Sequence, residues 1–245
     1  MSFDDGQSSA PSPSLPDVEG NGSPSPCVLE DLVNAPGPIQ VFLDANVLIP
    51  QNLRAVFLEL ADAKEIRVHW SDEVLVEVRR NLVRSTAYGL DPAKVDRLLD
   101  LMAQAFPDAL VQGHEAYGSR FIGKTDRKDQ HVAAGALKLS LTVHGGQAVS
   151  LVTSNVVDLP QRAFEGTLVL MAHPDRFLTA LLLARPGAVT GTIERLLARL
   201  NSPKLSREDF LDIMVASRCD DFAVAIGHEW GLTLDETPTP HRRPA

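Results

Sequence analysis

Apolar positions in this chain fall into short β-branched runs that alternate with longer stretches of helical spacing. Ile39-Gln40-Val41-Phe42-Leu43 is such a run, set between Pro36-Gly37-Pro38 and Pro50-Gln51-Asn52, and it predicts a buried parallel strand with Asp44 at its C-terminal tip. Leu53, Val56, Phe57, Leu60 and Ala61 then recur at helical spacing up to Lys64, and Ile66 to Trp70 reads as a second strand. Ser71 is placed as an N-cap, Asp72 and Glu73 favour the positive end of the helix, and Val74, Leu75, Val78 and Leu82 mark its buried stripe. Asp91-Pro92 opens another helix through Val95, Leu98, Leu99, Met102 and Phe106, and Ala109-Leu110-Val111 predicts a short edge strand.

Further strands are expected over Ala148 to Val152 and Thr167 to Met171, with a helix of small residues, Ala133 to Ala136, before the first of them. The alternation predicts an α/β fold: a three-layer α/β/α domain over about residues 38–172, with a central, mostly parallel sheet. Phe177 to Leu183, Val189 to Leu200, Arg207 to Ser217 and Asp220 to Trp230 show helical periodicity and no strand. They form a helical C-terminal extension over 173–236, interrupted at Asn201-Ser202-Pro203-Lys204, with Ser206 and Asp209 spaced as a capping box.

Residues 1–37 are rich in Ser, Pro, Gly and acids and predict a disordered tail, with Val28 to Val33 a candidate for one helical turn before the fold begins; residues 237–245 predict a flexible end. The tail changes how the net charge of −9 is read. It holds six of the 32 acids and none of the 23 bases, so residues 38–245 carry 26 acids against 23 bases. A nearly balanced folded part does not exclude a polyanionic partner. Cys27 and Cys219 are too few for a disulfide framework or a structural zinc site, and no apolar run is long enough to span a membrane, so a soluble cytoplasmic protein is expected.

Against this scaffold four acids stand out. Asp44 and Asp158 follow strands, Glu77 lies in the buried stripe of its helix, and Asp129 falls in the first turn of the small-residue helix. Singly they have ordinary explanations: Asp44 as a cap, Asp126 or Asp129 as the N-cap of that helix, and Glu77 as the i, i+3 partner of Arg80. Together at the carboxyl ends of a parallel sheet they describe a site. Clustered carboxylates repel, which raises their pKa values and calls for a cation, and an all-oxygen set suits Mg²⁺ or Mn²⁺. Such ions clamp phosphate oxygens and activate water. His131, next to Asp129, points away from it on a helix and reads as surface or packing. Arg120, Lys124, Arg127 and Lys128 form a basic run that is either solvated surface or a phosphate track, and Arg79 and Arg80 beside Glu77 are weaker candidates.

These pieces resemble the PIN-domain ribonucleases, and among them the VapC-type toxins of toxin–antitoxin pairs. The matching stretches are Leu43-Asp44-Ala45-Asn46-Val47-Leu48, Ser71 to Val78 around Glu77, Asp126 to Ala134 around Asp129, and Thr153-Ser154-Asn155-Val156-Val157-Asp158-Leu159-Pro160. Ala172 to Leu178 and the helices after it resemble the C-terminal extension of a longer VapC-type subgroup. The resemblance implies a Mg²⁺- or Mn²⁺-dependent endoribonuclease with Asp44, Glu77, Asp129 and Asp158 as catalytic metal ligands. Asn46, Thr153 and Asn155 would be polar support, and Asp126 is an extra acid of open role. It also implies an RNA substrate and a cognate antitoxin, and leaves a homodimer open. The rivals are a catalytically silent PIN-like module that binds RNA or protein, and a structure-specific DNA nuclease.

Overall fold

Val41, Phe42 and Leu43 have no room for solvent on either face, and this is what places their strand at the centre of the sheet. The computed structural model describes residues 28–143, 146–200 and 204–233. Four strands, β1 (Ile39–Leu43), β2 (Ile66–His69), β3 (Val149–Val152) and β4 (Val169–Ala172), form an all-parallel sheet in the order β2-β1-β3-β4. The edge strand expected at Ala109 to Val111 is reduced to a single bridge between Trp70 and Leu110, because the chain turns away after two backbone hydrogen bonds to Trp70.

The chain leaves β1 in one direction along the sheet and reaches β3 from the other. Right-handed crossovers therefore put the connecting helices on opposite faces and open a cleft at the carboxyl ends of β1 and β3. One face carries α3 (Gln51–Asp62) and, later, α7 (Pro174–Ala184), joined by Phe57 and Phe177 with ring centroids 5.9 Å apart. The other carries α4 (Asp72–Arg84) and α6 (Gln130–Lys138), with α5 (Pro92–Ala105) packed on α4. Between β1 and α3, α2 (Ala45–Leu48) makes one turn, and the buried Arg54 closes its end by donating to the carbonyls of Leu48 and Ile49 at 2.6 and 3.1 Å.

The small residues of α6 act as expected. Ala133, Ala134 and Ala136 are buried, and a Cβ on Gly135 would stand 2.4 Å from Cζ of Phe42, so the helix lies against the β1 layer at a separation that only glycine permits.

The expected tail is shorter than 1–37. Leu29–Asn34 form a helix, α1, whose Leu29, Leu32 and Val33 are buried against the fold, and Arg185 donates to the carbonyls of Ala35 and Gly37 at 2.8 and 2.9 Å. The rest of that tail, residues 1–27, and the C-terminal one lie outside the described residues, as do 201–203 of the expected break. Among the described residues the C-terminal extension carries four helices: α7, α8 (Pro186–Arg199), α9 (Arg207–Ala216) and α10 (Asp220–Glu229). It shares one continuous core with the sheet domain, so residue 172 marks a change of architecture without a break in packing. Ser206 and Asp209 form the capping box, and Asp175 of α7 accepts from the backbone N–H groups of Asp221 and Phe222 at the start of α10. Among the described residues no helix is long and apolar enough to cross a membrane.

Candidate active site

The register of β1 against β3 builds the first half of the site. Leu43 pairs with Val152, so the next residues, Asp44 and Thr153, emerge side by side, and Asp44 N–H still donates to Val152 O at 3.1 Å. Asp44 is buried, and its carboxylate is held from several directions. Thr153 Oγ1 donates to Oδ2 at 2.7 Å, Asn46 Nδ2 donates to the same oxygen at 2.6 Å, and Ala45 N–H donates to Oδ1 at 2.6 Å. Asn46 is itself fixed, since its Oδ1 accepts from Ser154 N–H at 2.9 Å. Asp44 thus caps α2 and faces the cleft at once.

The second half comes from α6 and the loop after β3. A 3-10 turn over Arg127–Asp129 precedes α6, and Asp129 makes no capping hydrogen bond, which leaves its carboxylate directed at the cleft. Asn155 Nδ2 bridges Asp129 Oδ2 at 3.1 Å and Asp158 Oδ2 at 3.0 Å, and Lys128 Nζ lies 3.2 Å from Asp158. Glu77, one-third exposed, reaches in from α4; its Oε1 is also 3.7 Å from Arg80, a long contact of the ordinary i, i+3 kind. Asp44, Asn46, Glu77, Lys128, Asp129, Asn155 and Asp158 line one open cleft of about 350 Å³.

Raised carboxyl pKa values were expected for the whole cluster, and the structure divides it. Burial lifts Asp129 to about 6, with Asp44, Asp158 and Asp126 adding to the shift and Lys128 opposing it. Burial also raises Asp44, against the hydrogen bonds from Thr153 and Ala45. Asp158 moves the other way, because Asn155 and Lys128 stabilise its charged form. Position at the mouth of the cleft, where a cation and an amide can reach it, outweighs the repulsion of its neighbours.

The donor set fits a hard divalent ion: four carboxylates and two side-chain amides, with two of the carboxyls buried enough to resist ionising without a counter-charge. The oxygens are spread across the cleft, and both oxygens of Asp44 and one each of Asp129 and Asp158 accept the hydrogen bonds just described. Among the described residues, the group of three acid or imidazole ligand atoms lying mutually within 4.8 Å is elsewhere, at Glu73, His114 and Glu115.

The remaining candidates separate cleanly. Thr153 supports Asp44 from behind the cleft. Asp126 does not line it; its Oδ1 accepts from Lys128 N–H at 3.1 Å and so caps the 3-10 turn. Arg79 lies outside the cleft lining and is engaged with Asp96 of α5 through two hydrogen bonds, 2.6 and 3.1 Å. Arg120, Lys124 and Arg127 lie outside the cleft, the last two exposed, and only Lys128 of the basic run enters it. His131, read as surface or packing, is half-buried, with Nε2 enclosed and without a hydrogen bond. His114, also buried, stands in a polar run of the sequence, where nothing local marks it for burial.

Neither the curated proteins nor the solved structures gave a match to this chain. Residues 174–227, which run from the start of α7 into α10, match the family model described as the VapC50 C-terminal domain, and over that stretch the chain is similar to the VapC family.

Proposed function

We propose that this chain is a divalent-metal-dependent endoribonuclease and the toxin of a VapBC-type pair. The observation that carries the reading is the meeting of Asp44, Glu77, Asp129 and Asp158, from four separate stretches of chain, in one cleft at the sheet's topological switch point. The similarity of α7 to α10 to the VapC50 C-terminal domain supports the family, and through it the RNA substrate and the antitoxin partner.

In this reading the four carboxylates hold Mg²⁺ or Mn²⁺. The bound ion supplies charge neutralisation at a phosphodiester and a water of lowered pKa. The protein's own contribution is placement. Thr153 and Asn46 fix the Asp44 carboxylate, Asn155 sets the spacing of Asp129 and Asp158, and Lys128 offers its ammonium to a phosphate oxygen at the mouth. Water attacks phosphorus and the O3′–P bond breaks, leaving 5′-phosphate and 3′-hydroxyl ends.

The test is cleavage of RNA by the purified chain with Mn²⁺, with chelator, and after Asp129→Asn. Metal-dependent cutting that leaves 3′-hydroxyl ends and is lost in the variant is expected. Equal cutting of DNA would move the reading to a DNA nuclease. No cutting of any nucleic acid would leave the second reading, a silent binding module, which the spread of the carboxylate oxygens favours.

A further inference from the structure

His114 is a buried imidazole with no hydrogen bond at either ring nitrogen. It is 2% exposed and stands just before the 3-10 segment Glu115–Phe121, which packs against α6. Its Nε2 is 3.1 Å from Glu73 Oε2, yet the ring is turned so that no N–H···O bond forms, and that buried oxygen also has no hydrogen-bond partner. Two buried polar atoms this close without a hydrogen bond between them are a cost to the fold, so such an arrangement calls for a third participant.

The geometry suits an ion. Donor atoms bound at about 2.1 Å stand about 3.0 Å apart when cis in an octahedral site and about 3.4 Å apart in a tetrahedral one. Glu115 completes the group, with one ligand atom from each of the three residues mutually within 4.8 Å. Two carboxylates balance a divalent charge, and a neutral imidazole favours zinc-class ions over Mg²⁺, which takes oxygen donors. The acids do not stand alone here, because the buried and unpartnered imidazole aims into the same space.

We propose that Glu73, His114 and Glu115 form a binding site for a zinc-class divalent transition ion, distinct from the carboxylate cleft. The site would join the first turn of α4 to the segment that precedes Phe121. Glu77 lies one helical turn beyond Glu73, so an ion here would steady the helix that carries Glu77 towards the cleft. The inference does not depend on the nuclease reading.

The experiment is calorimetric titration of Zn²⁺ into the full chain, with Co²⁺ absorption as a second readout of coordination. Asp129→Asn disables the cleft and is expected to leave one Zn²⁺ step and the Co²⁺ visible bands in place. Glu115→Gln and Glu73→Gln, placed singly in that background, are each expected to weaken the step at least tenfold. Glu115 is exposed, so that variant retains the fold, verified by an unchanged melting temperature without metal. The proposal is overturned if wild type shows no Zn²⁺ step, if Asp129→Asn alone abolishes it, or if either Gln variant binds as before.

Discussion

Thr153 donates its hydroxyl to Asp44 Oδ2 at 2.7 Å across 109 residues of sequence. It is the shortest statement of how the site is made: two adjacent parallel strands end in register, and a carboxylate and its donor meet at the tips. Replacing Thr153 by Val keeps the shape and removes the donor to a buried, charged group. We expect a loss of about 1–3 kcal/mol in urea unfolding at neutral pH, and retention of most of it in Thr153→Ser. Equal stability of the Val variant would show that Asn46 and Ala45 suffice.

The Asp129 carboxyl gives the metal-free protein a pH signature. Its pKa rises from 3.8 to about 6 on folding, chiefly through burial. Below the unfolded value both states hold the proton; between the two values only the folded state does, so this group's contribution to stability is lost as pH rises through about 6. Melting temperatures of wild type and Asp129→Asn, measured without metal, should therefore diverge in favour of the variant from about pH 4 to 6, and parallel curves would remove Asp129 as the source. Added Mn²⁺ competes with that proton, so its stabilising effect on wild type should grow over the same interval.

Lys128 and Arg79 should behave differently towards RNA, although both adjoin the acids in sequence. Lys128 enters the cleft beside Asp158, whereas Arg79 is spent on Asp96. In an Asp129→Asn background that does not cut, Lys128→Ala is expected to weaken binding to single-stranded RNA of any sequence. The slope of log affinity against log salt should fall by about 0.7, the value for one phosphate contact. Arg79→Ala should leave the slope unchanged, and the same measurement reads both.

Gly135→Ala tests the close approach of α6 to β1. The added methyl would meet the buried Phe42 ring at 2.4 and 2.6 Å, so the ring or the helix must shift. Overpacking of this kind costs about 1–3 kcal/mol. The urea midpoint should drop, and Phe42→Leu in the same chain should recover part of the loss. A simply additive double variant would show that the two positions are not in contact.

The sequence by itself determined the parallel α/β order, the caps at Ser71, Asp91 and Ser206, and the helices α7 to α10 of the extension. These depend on local spacing: a strand buried on both faces is apolar at every position, a helix shows its period of 3.6, and a capping side chain binds a backbone group two or three residues away. It also named all seven residues of the cleft, because carboxylates and amides at strand tips are visible one stretch at a time. Tertiary structure decided what depends on distant partners. Leu29–Asn34 is too short to hold as a helix alone and does so through α7 and Arg185. The opposite shifts of Asp129 and Asp158 follow from which carboxyl is buried and which meets Lys128, and no spacing along the chain encodes that. His114 is the clearest case: an imidazole in a polar run becomes buried only when the 3-10 turn folds onto α6 and faces it to Glu73.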